Sequence, residues 1–328
     1  MRLFIGLDIS KEQFFASFLN SKLEQVLKPK QFKRNQSGIK KFLNYVKKTN
    51  LKPSQINIAM ESSSTYWELL AFTFDEIGFK VYILNPSQVK NFARAKLKKA
   101  KTDKIDSNLI AEFLVKMKPK PWNRKNYEKT MALKQLSRFR IKLLKISSSL
   151  KNLNEANSQK FLPNPIVQKE ISNLLNQLDE TVKRIENEIL KEIKSSDELY
   201  QNFKAISSIK GISKIASAVI IAETHNLSNF SKPQELVSFS GLAPGVFQSG
   251  KVKQNQKTTK KANKYLKSTL FLCALSAVRF NPKIKSFYTN LISKGKPKKV
   301  ALIASARKLI IQCFYSVKKK STQNEFLT

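Results

Sequence analysis

Histidine and cysteine are scarce in this chain of 328 residues. His225 is the single histidine, and Cys273 and Cys313 are the only cysteines. Histidine-based zinc sites, Ser-His-Asp triads and Cys-His dyads therefore lack the residues that they need, and two distant cysteines do not make a disulfide framework. Any chemistry must use carboxylates, hydroxyls or lysines.

Long apolar runs are also missing, and the start of the chain does not resemble a signal peptide. No run of about 18 apolar residues occurs, which argues against a membrane protein. Residues 1–10 lack an apolar core with a cleavage site and alternate like a buried strand. We therefore expect a cytoplasmic protein.

Acidic residues are few, and their distribution is uneven. The 61 Lys and Arg against 23 Asp and Glu give a net charge of +38, which suits a protein whose partners are polyanions. Residues 236–324 contain no acid, although nineteen basic residues lie between Lys251 and Lys320. A solvated charged face is the plain alternative, but it is the weaker one over so long a segment. Nucleic acid is the expected partner, and any metal site must lie upstream.

The first part of the chain alternates between strand and helix patterns. Strands are predicted over residues 2–9, 13–19, 25–32, 56–61 and 79–84, and helices over 37–49, 65–77, 87–98 and 104–116. The first three strands form an antiparallel meander. Such an order predicts an α/β domain over residues 1–122, with a mixed sheet covered by helices, as in the ribonuclease H fold.

The rest of the chain is predicted to be mainly helical. Apolar residues repeat at spacings of three and four over residues 130–199, which indicates two arms of a coiled coil or two long helices packed within one chain. This helical linker is assigned to residues 123–200. A C-terminal domain over 201–328 begins with two short helices around Gly211, a weak helix-hairpin-helix signal.

Four acids of the first domain are candidate metal ligands. Asp8 interrupts an apolar strand, Glu61 ends another, and Asp103 and Asp106 are three apart at a helix start. If the first strand, the fourth strand and the last helix assemble as in ribonuclease H, the acids converge on two Mg²⁺ ions about 4 Å apart. Helix capping by the paired aspartates, and a plain surface role for Glu61, are the alternatives.

Short motifs are distributed along nearly the whole chain. They are Gly6-Leu7-Asp8, Met60-Glu61-Ser62-Ser63-Ser64-Thr65-Tyr66, Asn85-Pro86, Lys101-Thr102-Asp103-Lys104-Ile105-Asp106, Phe239-Ser240-Gly241-Leu242-Ala243-Pro244 and Gln248-Ser249-Gly250-Lys251. Through these motifs the chain resembles the DEDD transposases of bridge-RNA-guided insertion sequences, the family numbered one hundred and ten, with the Piv/MooV DNA invertases as relatives. The resemblance implies a prokaryotic protein associated with the nucleoid.

The resemblance implies a fold, a mechanism and partners. It implies a RuvC-like N-terminal domain, a coiled-coil middle and a C-terminal transposase domain. Asp8, Glu61, Asp103 and Asp106 would bind Mg²⁺ or Mn²⁺, and Ser249 would form a covalent link to DNA. Donor and target DNA would be paired by a non-coding bridge RNA, with dimers assembling into a tetramer. Ser107 stands where the pattern has a small alanine, a departure that touches helix packing.

Two other functions stay open at this point. A RuvC-like junction nuclease would hydrolyse DNA with the four acids alone, and Ser249 would be a bystander. A non-catalytic nucleic-acid-binding protein would keep the fold without activity. The presence of all four acids and of Ser249 argues against such a degenerate protein. From the residues alone, Ser249 beside Lys251 and Lys253 is an ordinary loop serine.

Overall fold

In the computed structural model, the chain divides into two compact units, Met1–Arg124 and Lys125–Thr328. The structure describes residues 1–62, 64–96, 102–228, 230–249, 252–256 and 262–325, with only the backbone at 245–249, 252–256 and 319–325. Each unit has its own core.

The N-terminal unit is built on a five-stranded mixed sheet. Its strands are β1 (Leu3–Ile9), β2 (Gln13–Leu19), β3 (Gln25–Lys33), β4 (Ile56–Glu61) and β5 (Lys80–Leu84), in the order β3-β2-β1-β4-β5. Strands β1 to β3 are antiparallel neighbours, whereas β4 and β5 run parallel to β1. The predicted meander and the predicted strands are confirmed.

Helices cover both faces of this sheet. They are α1 (Gln36–Lys47), α2 (Trp67–Glu76), α3 (Pro86–Ala95) and α4 (Asp103–Met117). Phe42 of α1 packs on Phe18 of β2 and on Phe74 of α2. Since Phe18 is the register partner of Ile5, α1 and α2 cover the face to which Leu3, Ile5 and Leu7 belong.

Both edges of the sheet are occupied by features that limit further strand pairing. Edge strand β3 carries Lys28, Pro29 and Lys30, where its register with β2 shifts. At the other edge, the backbone N–H of Trp122 donates to the carbonyl of Val81 in β5 at 2.8 Å. The Trp122 ring packs edge-on against Trp67 and Phe72, with centroids 5.9 and 5.1 Å apart.

The C-terminal unit is helical apart from one hairpin. Its elements are α5 (Arg124–Ser158), α6 (Pro165–Lys194), α7 (Asp197–Ser207), α8 (Lys214–Thr224), α9 (Pro233–Phe239), β6 (Gly245–Ser249), β7 (Val252–Gln256), α10 (Lys264–Phe280), α11 (Pro282–Ser293) and α12 (Lys298–Glu325). The core is formed mainly by apolar residues of α7, α8, α10 and α12. Gly211 has a φ of +100°, and a Cβ there would come within 2.5 Å of Ala277, so the predicted turn between α7 and α8 needs glycine.

Helices α5 and α6 are two long arms that run antiparallel. Arg140 of α5 donates to Glu186 of α6 at 2.7 Å, and nearer the tip Asn157 donates to the carbonyl of Asn164 at 3.1 Å. These contacts join the arms within one chain. Phe139, Ile146 and Leu153 of the predicted repeat are about half exposed, and a coiled coil with a second chain stays a prediction.

One stretch of α12, Lys298–Lys318, is long and apolar enough to satisfy the length and composition of a membrane span. The sequence was expected to contain no such stretch, because charged and polar residues interrupt it. Helix α12 packs against α7, α9, α10 and α11, and 44% of the stretch is buried within the protein. Core packing accounts for its apolar character.

Candidate active site

Asp8 and Glu61 lie at the carboxyl ends of neighbouring parallel strands. Leu7 of β1 is in register with Met60 of β4, so the next residue of each strand, Asp8 and Glu61, occupies adjacent positions. Both acids are half-buried. The ends of parallel strands are where open α/β sheets place their sites.

Both acids belong to the sheet face that α4 covers. Side chains alternate along a strand, so Asp8 shares a face with Phe4 and Gly6, and Glu61 with Ala59. Phe4 and Ala59 pack in one apolar cluster with Leu109, Ile110 and Phe113 of α4. Helix α4 therefore lies over the side of the sheet that carries the two acids.

Close approach of α4 to β1 depends on Gly6. A Cβ at this position would lie 2.1 Å from the carbonyl oxygen of Ser107 and 2.4 Å from the backbone nitrogen of Ala111. The Ser107 side chain is fully buried, and its hydroxyl forms a 2.7 Å hydrogen bond with that of Ser17 in β2. The serine that departs from the family pattern thus has a partner on the sheet.

Asp103 and Asp106 are in the first turn of α4, as predicted. The N-cap is Thr102, whose Oγ1 accepts from the backbone N–H of Ile105 at 3.2 Å. Thr102 therefore caps the helix, which was the alternative role for the two aspartates. Both acids still complement the helix dipole. Asp103 is exposed and Asp106 is half-buried.

The structure brings the four acids to one side of one sheet but does not assemble them into a metal centre. In the part of the chain that it describes, no three His, Cys, Asp or Glu side chains are close enough to hold a metal ion. The predicted convergence stays a prediction. A fifth acid, Glu112 of α4, was not singled out from the sequence. It is paired with Lys96 and accepts from Asn108 at 2.9 Å.

Ser249 is the last residue of β6 and is in register with Val252 of β7. The sequence favoured a loop here, and the structure makes it the end of a hairpin strand. Its side chain, and Gly250 and Lys251, lie outside what the structure describes.

A buried ion pair connects α5, α8 and the start of α10. Arg138 donates to both carboxylate oxygens of Glu223 at 2.6 and 2.8 Å, and Asn263, the N-cap of α10, donates at 2.6 Å. The Glu223 side chain is fully buried, and that of Arg138 is 38% exposed. Burial raises the pKa of Glu223, but the hydrogen bonds outweigh it and hold that pKa below 4.5. The signal in the sequence was that Glu223 is the single acid of the mostly apolar stretch 215–223.

His225 lies beside this pair and is neutral at pH 7. Burial, with Lys134 nearby, lowers its pKa to about 3. Lys134 Nζ lies 3.3 Å from Nε2, and the Thr130 hydroxyl lies 2.8 Å from Nδ1. Because lysine only donates, we assign the proton to Nδ1, which donates to Thr130. The burial and the hydrogen bonds of the single histidine therefore indicate a structural role.

Two family models match the chain. A DEDD-type IS110 model described as "Transposase" matches residues 5–157. A second model, described as "Transposase IS116/IS110/IS902 family", matches residues 203–289. The first match includes the four acids and the second includes Ser249.

Two individual proteins are similar to the chain over nearly its full length, and a third over about a third of it. The chain is 28% identical over 315 residues to a pilin gene-inverting protein of Moraxella bovis, covering 94% of each chain. A protein of the same description from Moraxella lacunata is 27% identical, again covering 94% of each. A transposase for insertion sequence element IS1533 of Leptospira borgpetersenii is 29% identical over 113 residues, 34% of this chain and 31% of the other.

Proposed function

Because the chain belongs to the IS110 family of transposases and DNA invertases, we propose that it is a site-specific recombinase that acts through a covalent serine–DNA intermediate. DNA is its substrate, as the family implies. The observation that carries the proposal is the adjacency of Asp8 and Glu61 at the ends of β1 and β4, on the face covered by α4.

We assign residues 1–122 to a catalytic domain of the RuvC and ribonuclease H type, 123–200 to a helical linker and 201–328 to a transposase domain. The strand order β3-β2-β1-β4-β5, with three antiparallel strands followed by two parallel ones, supports the first assignment. The two matched segments, which begin at residues 5 and 203, are consistent with separate catalytic and transposase parts.

Asp8, Glu61, Asp103 and Asp106 are the residues that would hold Mg²⁺ or Mn²⁺. DEDD-type transposases generally depend on a divalent metal, and carboxylate oxygens are the ligands that both ions prefer. The donor set fits in chemistry and in its placement on one sheet face. Such a metal would stabilise negative charge on the phosphate oxygens during strand transfer.

The Ser249 hydroxyl is assigned as the nucleophile. Its oxygen attacks a DNA phosphorus, a serine–phosphate ester forms, and the broken phosphodiester releases one strand end as a hydroxyl. The serine proton leaves to a base, and Lys251 and Lys253 follow the serine closely in the sequence. A hydroxyl of another strand then attacks the ester and frees Ser249. Since one ester replaces another at each step, rejoining needs no nucleotide cofactor.

A structured bridge RNA that pairs with donor and target DNA is the proposed source of sequence specificity. The acid-free segment 236–324 supplies positive charge without carboxylates, which suits phosphate backbones of either nucleic acid. Base pairing would then select the site while the protein contacts backbone and shape.

The test of this function is a covalent adduct. Protein, flanking non-coding RNA, magnesium and DNA carrying the element ends would be mixed and run on a denaturing gel. We expect a protein–DNA adduct with the natural chain and none with Ser249→Ala or Asp8→Ala. Ser238→Ala, a serine of α9 outside the proposed site, is the matched control. Strand cleavage that survives Ser249→Ala would instead identify a hydrolytic nuclease.

A homodimer that assembles into a tetramer is the proposed working form. Phe139, Ile146 and Leu153 recur every seven residues on α5 and are 46%, 50% and 53% exposed, a spacing typical of a helix–helix seam. We expect Ile146→Lys to lower the molar mass measured by light scattering. Ser148→Lys adds the same charge at an exposed position off this stripe and should leave the mass unchanged. Equal masses for both variants would contradict assembly through α5.

A further inference from the structure

The C-terminal unit contains a cavity that the proposed chemistry does not use. It has a volume of about 470 Å³ and lies between the loop after α7, the start of α11 and one face of α12. Its lining includes Ile209, Asn281, Lys283, Lys308, Ile311 and Tyr315. This volume is within the range of about 300–1,000 Å³ that is common for small-ligand sites.

The cavity combines an apolar wall with two cations. Ile209 and Ile311 are half-buried, whereas Lys283 and Lys308 are exposed. Neither lysine forms an ion pair within the residues that the structure describes. Both lysines belong to the acid-free segment 236–324, so no residue of that segment places a carboxylate beside a bound anion.

Tyr315 gives the cavity an aromatic surface. Its side chain is 53% exposed, so the ring is accessible from the cavity side of α12. The adjacent Phe314, which is buried, contacts it edge-on with a centroid separation of 5.6 Å. The ring is therefore supported by the core while much of its surface stays accessible.

Hydrogen bonds fix the walls of the cavity. Asn281 Nδ2 donates to the carbonyl of Lys210 at 3.1 Å, and Asn281 Oδ1 caps α11 at Ile284. Ser316 donates to the carbonyl of Ala205 in α7 at 2.9 Å. These contacts hold the α7–α8 loop, α11 and α12 together, so the cavity exists before a ligand binds and binding costs little reorganisation.

We propose that this cavity binds one unpaired nucleotide of a nucleic-acid strand. The base packs against Tyr315 and the two isoleucines, and Lys283 and Lys308 contact the adjoining phosphates. An aromatic surface next to cations is the arrangement by which proteins bind single strands. A paired base cannot enter, because it is stacked within its duplex. The site rests on the nucleic-acid partner of the proposed function, but not on its covalent chemistry.

The test measures binding of the full chain to fluorescent single-stranded oligonucleotides of about eight nucleotides. Matched DNA and RNA strands are compared with a duplex of the same sequence, without magnesium. We expect Tyr315→Ala to weaken single-strand binding by about 5- to 150-fold, whereas Tyr315→Phe, which keeps the ring, stays within about 2-fold. Whichever strand type shows the larger loss identifies the natural source of the nucleotide.

A charge test accompanies the ring test. Lys308→Ala should reduce the dependence of log affinity on log salt by about 0.7, the contribution of one phosphate contact on a single strand. Lys285→Ala removes the same charge from an exposed position of α11 outside the cavity and should have a smaller effect. A strand containing 5-iodouracil should photo-crosslink to the peptide that contains Tyr315.

Three results would overturn the site. These are unchanged binding by Tyr315→Ala, an equal loss for duplex and single strands, or equal effects of Lys285→Ala and Lys308→Ala. Circular dichroism of each variant verifies that the fold is kept. The binding assay involves no strand cutting, so it tests the cavity separately from the covalent chemistry. If the natural chain forms no adduct through Ser249 but still shows Tyr315-dependent binding, only the recombinase chemistry is contradicted.

Discussion

Replacing Arg138 with leucine is expected to lower the free energy of unfolding of the C-terminal unit by about 3–5 kcal/mol. The change leaves the fully buried Glu223 carboxylate without its two guanidinium hydrogen bonds. A buried charge that loses its partner is costly because neither water nor a counter-charge replaces it. Urea unfolding followed by far-ultraviolet circular dichroism measures the loss.

Substitution of the other member of the ion pair is the control, because the two side chains differ in exposure. Glu223→Leu leaves Arg138, which is 38% exposed and can be hydrated, so its cost should be smaller. The double variant should recover part of the loss, since no buried charge remains. A larger loss for Glu223→Leu than for Arg138→Leu would contradict this account.

The loss should also depend on pH. In the natural chain the pKa of Glu223 is held below 4.5, so its ionised form adds stability above that pH, and the contribution disappears as the pH falls through the folded-state pKa. Without Arg138, burial raises the pKa of Glu223, and the ionised form destabilises the variant at neutral pH. The difference between the two proteins should therefore shrink as the pH is lowered from 7 towards 4.

Substituting Gly6 with alanine is expected to destabilise the N-terminal unit by about 1–3 kcal/mol. The added Cβ would overlap the backbone of α4 at Ser107 and Ala111, and a helix backbone cannot rotate away as a side chain can. Helix α4 must shift from β1, which moves Asp103 and Asp106 relative to Asp8. A displacement of about 1 Å can cost about 100-fold in rate, so adduct formation should fall by a similar factor.

Tryptophan fluorescence measures this effect in one unit alone. Trp67 and Trp122 are the only tryptophans, and both lie in Met1–Arg124. Gly295→Ala is the control, because a Cβ there meets nothing within 4 Å, and any backbone strain from its φ of +73° arises in the other unit, which contains no tryptophan. It should leave the tryptophan unfolding curve unchanged. An unaltered curve for Gly6→Ala would contradict the close packing of α4 on β1.

Local patterns predicted the secondary structure of the N-terminal unit well. Apolar runs identified the central strands β1 and β4, whose residues are mostly buried on both faces. Alternation and helical spacing identified the other strands and the helices that cover the sheet. The hairpin β6–β7 was not anticipated. Its segment, Gly245–Gln256, contains Lys, Gln, Ser and Asn rather than alternating apolar residues, so periodicity gave no strand signal.

Contacts between distant parts of the sequence were the other limit. Ser17 and Ser107 are 90 residues apart, and Arg138 and Glu223 are 85 apart. Nothing local to either residue specifies its partner, since the pairing arises only when the elements pack. The sequence singled out Asp8 because a lone charge in an apolar strand needs a partner. The same reasoning applied to Glu223 would have identified this buried acid as well.

The occupied edges of the five-stranded sheet restrict how copies of this protein can join. An open edge invites another strand, which leads to fibrous aggregates. Lysines and a proline at the register shift of β3, and the Trp122 backbone bonded to β5, oppose such growth at both ends. Growth of this sheet from one copy to the next is therefore disfavoured, so copies that associate must do so through side-chain surfaces rather than by adding strands.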